Sequence, residues 1–131
     1  LGAFYRELTE ELCEAVRAAT YLEEYVGSSK TRTYFDKAVE KEEKTGIPDP
    51  RIAALEVSPA AAPILDIFWE IKIGLTENGF SGSGRLGWRD IEAWCSLTNT
   101  EIRPWIARSL VHMDATRWLV LAERWSKGAE K

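Results

Sequence analysis

Apolar residues return at intervals of three and four along most of this chain, the period of a helix with one buried face. Leu8, Leu12, Ala15, Val16, Ala19, Leu22 and Val26 predict a first helix from about Phe4, which Gly27 ends. Ser28 and Ser29 are placed to cap a second, carrying the narrow apolar edge Tyr34, Phe35, Ala38 and Val39 and closed by Gly46. Pro48 and Pro50 break the pattern, with Asp49 set to cap a short turn of helix over 51–55. Ser58-Pro59 is a further start signal, a cap followed by proline at the first helical position, and Pro63 lies close enough to shift that start by a turn.

The helix that follows, with Ile64, Leu65, Phe68, Ile71 and Leu75 on its inner face and Ile67 and Trp69 widening it, is apolar enough to be central. Its end, Ile71–Leu75, has strand propensity, but no second strand candidate lies nearby to pair with it. Between Asn78 and Gly87 four glycines and two serines predict a flexible loop. Beyond it Trp88, Ile91, Trp94 and Leu97 recur every three residues, and Pro104 opens a last helix with two stripes, Ile106-Leu110-Met113 and Val111-Trp118-Leu121-Trp125. The expected fold is therefore all-α: a single compact domain of four to five helices over 1–131. Its parts are an N-terminal helix (1–27), a helix and proline-rich connector (28–57), a central helix (58–77), the glycine-rich loop (78–87) and a C-terminal helix pair (88–127).

Composition narrows the function. With 131 residues, 45% of them apolar and 29% charged, the chain is that of a soluble globular domain. No apolar run approaches the roughly 20 residues that span a bilayer, and no charged leader opens the chain, which points to the cytoplasm. Leu1 in place of methionine points to a processed or trimmed sequence. A net charge of −4 runs against nucleic acid as partner. Cys13 and Cys95 have no partners at metal-ligand spacing and read as buried free thiols.

Chemistry is scarce. Glu7, Glu10, Glu11 and Glu14 crowd the first helix, where acids complement the helix dipole, and read as a solvated face rather than a carboxylate site. The glycine-rich stretch lacks the Lys-Ser or Lys-Thr and the preceding strand of a phosphate loop. His112, the one histidine, and Asp114 fall on different helical faces and make no evident dyad. No enzyme, metal or cofactor is expected. Three readings remain: a helical domain whose tryptophans all serve the core, a helix-turn-helix DNA-binding domain built on 88–98 and the helix from Pro104, and a protein-interaction module presenting Trp, Leu and Met. The apolar start Pro104-Trp105-Ile106-Ala107 stands where a DNA-reading helix needs polar side chains.

The order of pieces carries more than any one of them: KTGIPDP closing a charged stretch, SPAAAPILDIFWEI, the glycine-rich loop, LGWRDIEAWCSLTNTEIRPW, and a Leu-Val-His-Met-Asp helix running to Trp118. From about Lys37 to Leu121 this resembles the tail assembly chaperones of long-tailed bacteriophages or prophages. Gly87 departs from the pattern, standing where a capping Ser or Thr is more usual. The resemblance implies a non-enzymatic chaperone that holds the tape measure protein during tail assembly in the host cytoplasm, with the tail tube protein or a second copy of the chain as further partners. On this expectation Trp69, Phe80, Trp88, Trp94, Trp105 and Trp118 are divided between core and a partner-binding groove.

Overall fold

The computed structural model describes residues 2–24, 31–75 and 84–129. Six helices and no strand lie among them, so the chain is all-α, with the short connector helix adding one to the expected number.

Helix α1 (Gly2–Leu22) buries Leu8, Leu12, Ala15, Val16 and Leu22 along one face, as the spacing of these residues requires. It stops at Leu22, before the Gly27 end expected for it; Val26, Gly27, Ser28 and Ser29 lie outside the described residues, and the cap of the next helix is Thr33 rather than Ser28 or Ser29. Helix α2 (Tyr34–Thr45) is opened by Thr33, whose hydroxyl accepts from the Asp36 amide while Asp36 reaches back to the Thr33 amide. This reciprocal pair satisfies two donors at the exposed helix start. Gly46 ends α2 in the left-handed region at φ 72°, its amide bonded to the Glu42 carbonyl 2.8 Å away.

Asp49 caps α3 (Pro50–Ala54) by accepting from the Arg51 amide at 2.7 Å. Arg51 then places its guanidinium 4.1 Å above the Tyr21 ring, docking α3 on α1. The Ser58-Pro59 signal does not open α4 directly. Residues 58–61 form a tight turn in which the Ser58 carbonyl accepts from both Ala61 and Ala62, and α4 (Ala62–Gly74) starts one turn later with Pro63 at its head. Ser58 is engaged elsewhere: its amide and hydroxyl both donate to the Glu11 carboxylate, at 3.2 and 2.6 Å. Glu11 is thus a clamp between α1 and the α3–α4 link, whereas Glu7, Glu10 and Glu14 stay on the solvated face.

Helix α5 (Trp88–Thr98) is closed by Asn99 in the left-handed conformation, and α6 (Pro104–Ala129) follows after the five-residue link 99–103. The every-three spacing of Trp88, Ile91, Trp94 and Leu97 does not make one stripe. A step of three falls about 60° short of a full turn, so three steps carry the series to the opposite side. Ile91 is buried and Trp94 half-buried, while the two ends, Trp88 and Leu97, are 59% and 87% exposed.

The core gathers Leu8, Leu12 and Val16 of α1, Ile64, Phe68 and Ile71 of α4, Leu86, Ile91 of α5, and Leu110 and Met113 of α6. Helix α6, rather than α4, is the central one. It packs against α1, α4 and α5, and its contact with α1 is the most extensive in the fold. The two run parallel: Tyr5 meets Trp105, Thr9 meets Ser109 and Thr20 meets Arg117 in ascending order along both helices. Of the two apolar stripes expected on this helix, Ile106, Leu110 and Met113 pack into the core, whereas Val111-Trp118-Leu121-Trp125 runs from half-buried Val111 to Trp125 at 50% exposure. Cys13 and Cys95 are free thiols, half-buried against the core rather than fully enclosed.

Candidate functional site

Asp114 on α6 is the most deeply placed acid among the described residues, with 2% of its surface exposed. Its Oδ1 accepts from Lys72 Nζ of α4 at 2.7 Å, and its Oδ2 accepts from Arg85 Nε at 3.1 Å and from the Leu86 amide at 2.9 Å. Lys72, 5% exposed, donates to the Gly84 carbonyl as well. An isolated carboxylate or ammonium in such a place would cost several kcal/mol; here each charge is met by its opposite and by backbone groups. As their different helical faces predict, Asp114 makes no dyad with His112, its near neighbour. His112 is exposed, and the real partners come from 28 to 42 residues away.

The network fixes the residues that lead into α5. Leu86 is drawn into the core, and Gly87 follows in an extended conformation at φ −122°, ψ 179°. Asp90 reaches back to the Gly87 amide at 2.7 Å. That is half of a reciprocal cap, and glycine has no side chain to complete it.

Around this anchor lies a surface of aromatic and cationic groups. Arg85, half-exposed, holds its guanidinium 5.2 Å from the Trp118 ring while its Nε bonds Asp114. Trp118 meets Trp125, seven residues further along α6, edge to face at 5.2 Å. Trp88 follows Arg85 by three residues, a separation that spans at most about 11 Å of chain. Arg85, Trp118 and Trp125 therefore form one neighbourhood on the second half of α6, and Trp88 opens α5 three residues after Arg85. Trp88 and Trp125 are among the exposed large hydrophobic side chains.

The other expected site residues do different work. Trp69 is half-buried, edge-on to Phe68 at 5.0 Å, with the Arg117 guanidinium 5.5 Å above it. Trp94 donates its indole N–H to Glu70 at 2.9 Å, joining α5 to α4. Trp105 stacks on Tyr5, joining α6 to α1. Each of these three thus has its own contact within the helical packing. Phe80 lies outside the described residues. Two groups of the patch, Arg85 and Trp125, were not among the expected site residues, although the seven-residue step from Trp118 to Trp125 could have singled out the latter.

A second concavity of about 550 Å³ runs between α1, α3 and α6, lined by Arg17, Tyr21, Arg51, Leu119, Val120 and Glu123 among others. Its rim carries both charge signs and Leu119 is its exposed apolar residue. No group of three or more His, Cys, Asp or Glu suited to a metal lies among the described residues. The helix-turn-helix outline of α5 and α6 is not matched by a free recognition helix, since Trp105 and Ile106, in its first turn, pack against the core.

Residues 42–118, more than half of the chain, match the family model described as phage tail assembly chaperone. The protein belongs to the phage tail assembly chaperone family. The match runs from within α2 to Trp118, so it includes the Asp114 network and the start of the aromatic patch and leaves α1 and the end of α6 outside. No curated protein and no solved structure matches the chain.

Proposed function

We propose that this tail assembly chaperone works without catalysis, by holding the tape measure protein through the aromatic patch formed by Trp88, Arg85, Trp118 and Trp125. The observation that carries the reading is large apolar side chains left in solvent beside half-buried ones on a helical family member with a tail-assembly role. A tape measure is a long helical protein whose apolar stripe has no cover until tail tube subunits surround it, and exposed indoles next to a guanidinium suit reversible cover of such a stripe. No cofactor is needed for that. Trp69, Trp94 and Trp105 contribute by keeping the helices that carry the patch in place. The tail tube protein and a second copy of this chain are further partners on this reading, and the host cytoplasm is where it operates. No helix among the described residues is long and apolar enough to cross a membrane.

The test is co-expression with the tape measure protein of the same tail gene cluster. The two should co-purify, and Trp88→Ala or Trp125→Ala should weaken the complex at least about 10-fold while leaving the melting temperature nearly unchanged, as expected for exposed anchor residues. Acrylamide should quench a fraction of the indole fluorescence in the free protein and less in the complex. Failure to co-purify, with salt-sensitive binding to duplex DNA in its place, would transfer the reading to a DNA-binding domain.

A further inference from the structure

Among the described residues, every hydrogen bond made by residues 84–86 runs to Lys72 or Asp114. The same three residues lead straight into Trp88. We infer that Asp114 is a positioning residue for the partner surface: through the Leu86 amide and the Arg85 guanidinium it sets where the Trp88 indole stands relative to Trp118. This deepens the proposal that the aromatic patch binds the tape measure protein, and it rests on that proposal for its functional half.

The chemistry of the network favours direction over stability. Taking Lys72 and Asp114 out of water costs several kcal/mol per ion, and well-packed apolar residues of the same volume often stabilise a fold as well or better. An apolar plug would leave the segment before α5 free to slide, because dispersion contacts have little angular preference. A carboxylate is different. Its two oxygens accept from an ammonium on α4, a guanidinium and a backbone amide, and each bond is short only in one arrangement. The Arg85 side chain is used at both ends, its Nε on Asp114 and its guanidinium plane near Trp118, so the buried charge and the exposed aromatic surface share one rigid link. A binding surface held in its bound geometry avoids the entropy of ordering it on contact.

The test uses the full chain carrying 5-fluorotryptophan, with the Trp88 ¹⁹F resonance assigned by Trp88→Phe, together with amide hydrogen exchange and affinity for the tape measure protein. Asp114→Asn should speed exchange of the Leu86 amide at least about 10-fold and broaden or shift the Trp88 resonance, while amides in the middle of α1 and α6 keep their protection. Affinity should fall at least about 10-fold, and Asp114→Asn added to Trp88→Ala should cost little more than Trp88→Ala alone, because the two act through one group. A general structural defect would instead add its loss to that of Trp88→Ala. Should Asp114→Asn fail to fold, Lys72→Met, which leaves Asp114 its bonds to Arg85 and Leu86, should give the same pattern in weaker form. An unmoved Trp88 resonance in the folded variants, or additive losses of affinity, overturns the inference. If wild-type protein does not bind the tape measure protein, the partner reading fails, whereas the resonance and exchange data still decide whether Asp114 positions Trp88.

Discussion

Tyr5 and Trp105 stack with ring centroids 4.4 Å apart and planes inclined by 25°, one in the first turn of α1 and the other in the first turn of α6. Four residues later on each helix the pairing continues: Thr9 and Ser109 share a hydrogen bond of 2.8 Å. Trp105→Ala should therefore lower stability to urea by about 2–3 kcal/mol, toward the lower end for a large aromatic because the ring is half-buried. Trp105→Phe should recover most of it. Binding through the patch on the far half of α6 should be unaffected at temperatures where the variant is folded.

Gly87 offers a gain. Its backbone is extended, as a capping residue requires, and a Cβ there would meet only Asp90 Oδ2, at 3.6 Å, an ordinary contact. Gly87→Ser would complete the reciprocal cap that Asp90 has half built and would restrict the unfolded chain, together raising stability by about 0.5–1 kcal/mol. Thermal unfolding followed by circular dichroism measures this. A loss of stability would mean that the glycine is needed for a conformation other than the extended one.

Glu40 is the acid whose protonation should respond most plainly to its neighbours. The hydrogen bond from Lys44, then the charges of Arg32 and Lys44, hold its carboxyl below the ordinary glutamate value. A lowered value in the folded state means that the stabilising contribution is complete above the ordinary carboxylate range and is lost as pH falls through the lowered value. The site is solvent-exposed, so the effect on global stability is small. In an NMR titration of the side-chain carboxyl, Lys44→Ala should move the midpoint of Glu40 upward, and added salt should do the same in the wild type.

Much of the helical layout could be read from residue types whose influence is local. Gly46 and Asp49 act within one turn of themselves, and Pro104 opens α6 where its missing N–H is harmless. What escaped depends on chain segments meeting at a distance. Ser58 is written like a cap but serves Glu11, 47 residues away, so the helix begins a turn later. The Thr33–Asp36 cap of α2 is the exception, a local pairing visible as a short polar residue three positions before an acid but passed over for Ser28 and Ser29. The buried charges were hardest to foresee, since Lys72 falls among the apolar residues Ile71 and Ile73 and its partner Asp114 is 42 residues away. For the tryptophans, spacing indicated helical faces but could not say that Trp69, Trp94 and Trp105 would each be occupied by a different neighbour, leaving Trp88 and Trp125 the more exposed.

The parallel pairing of α1 with α6 has a consequence for how the protein is made. Partners such as Thr9 and Ser109 are 100 residues apart, so α1 leaves the ribosome well before α6 is there to cover its apolar face. At about 5–20 residues per second that delay is on the order of 5–20 s. During it Leu12 and Val16 are open to whatever holds nascent chains, so this member of a tail assembly chaperone family has an apolar helix of its own to shelter at birth.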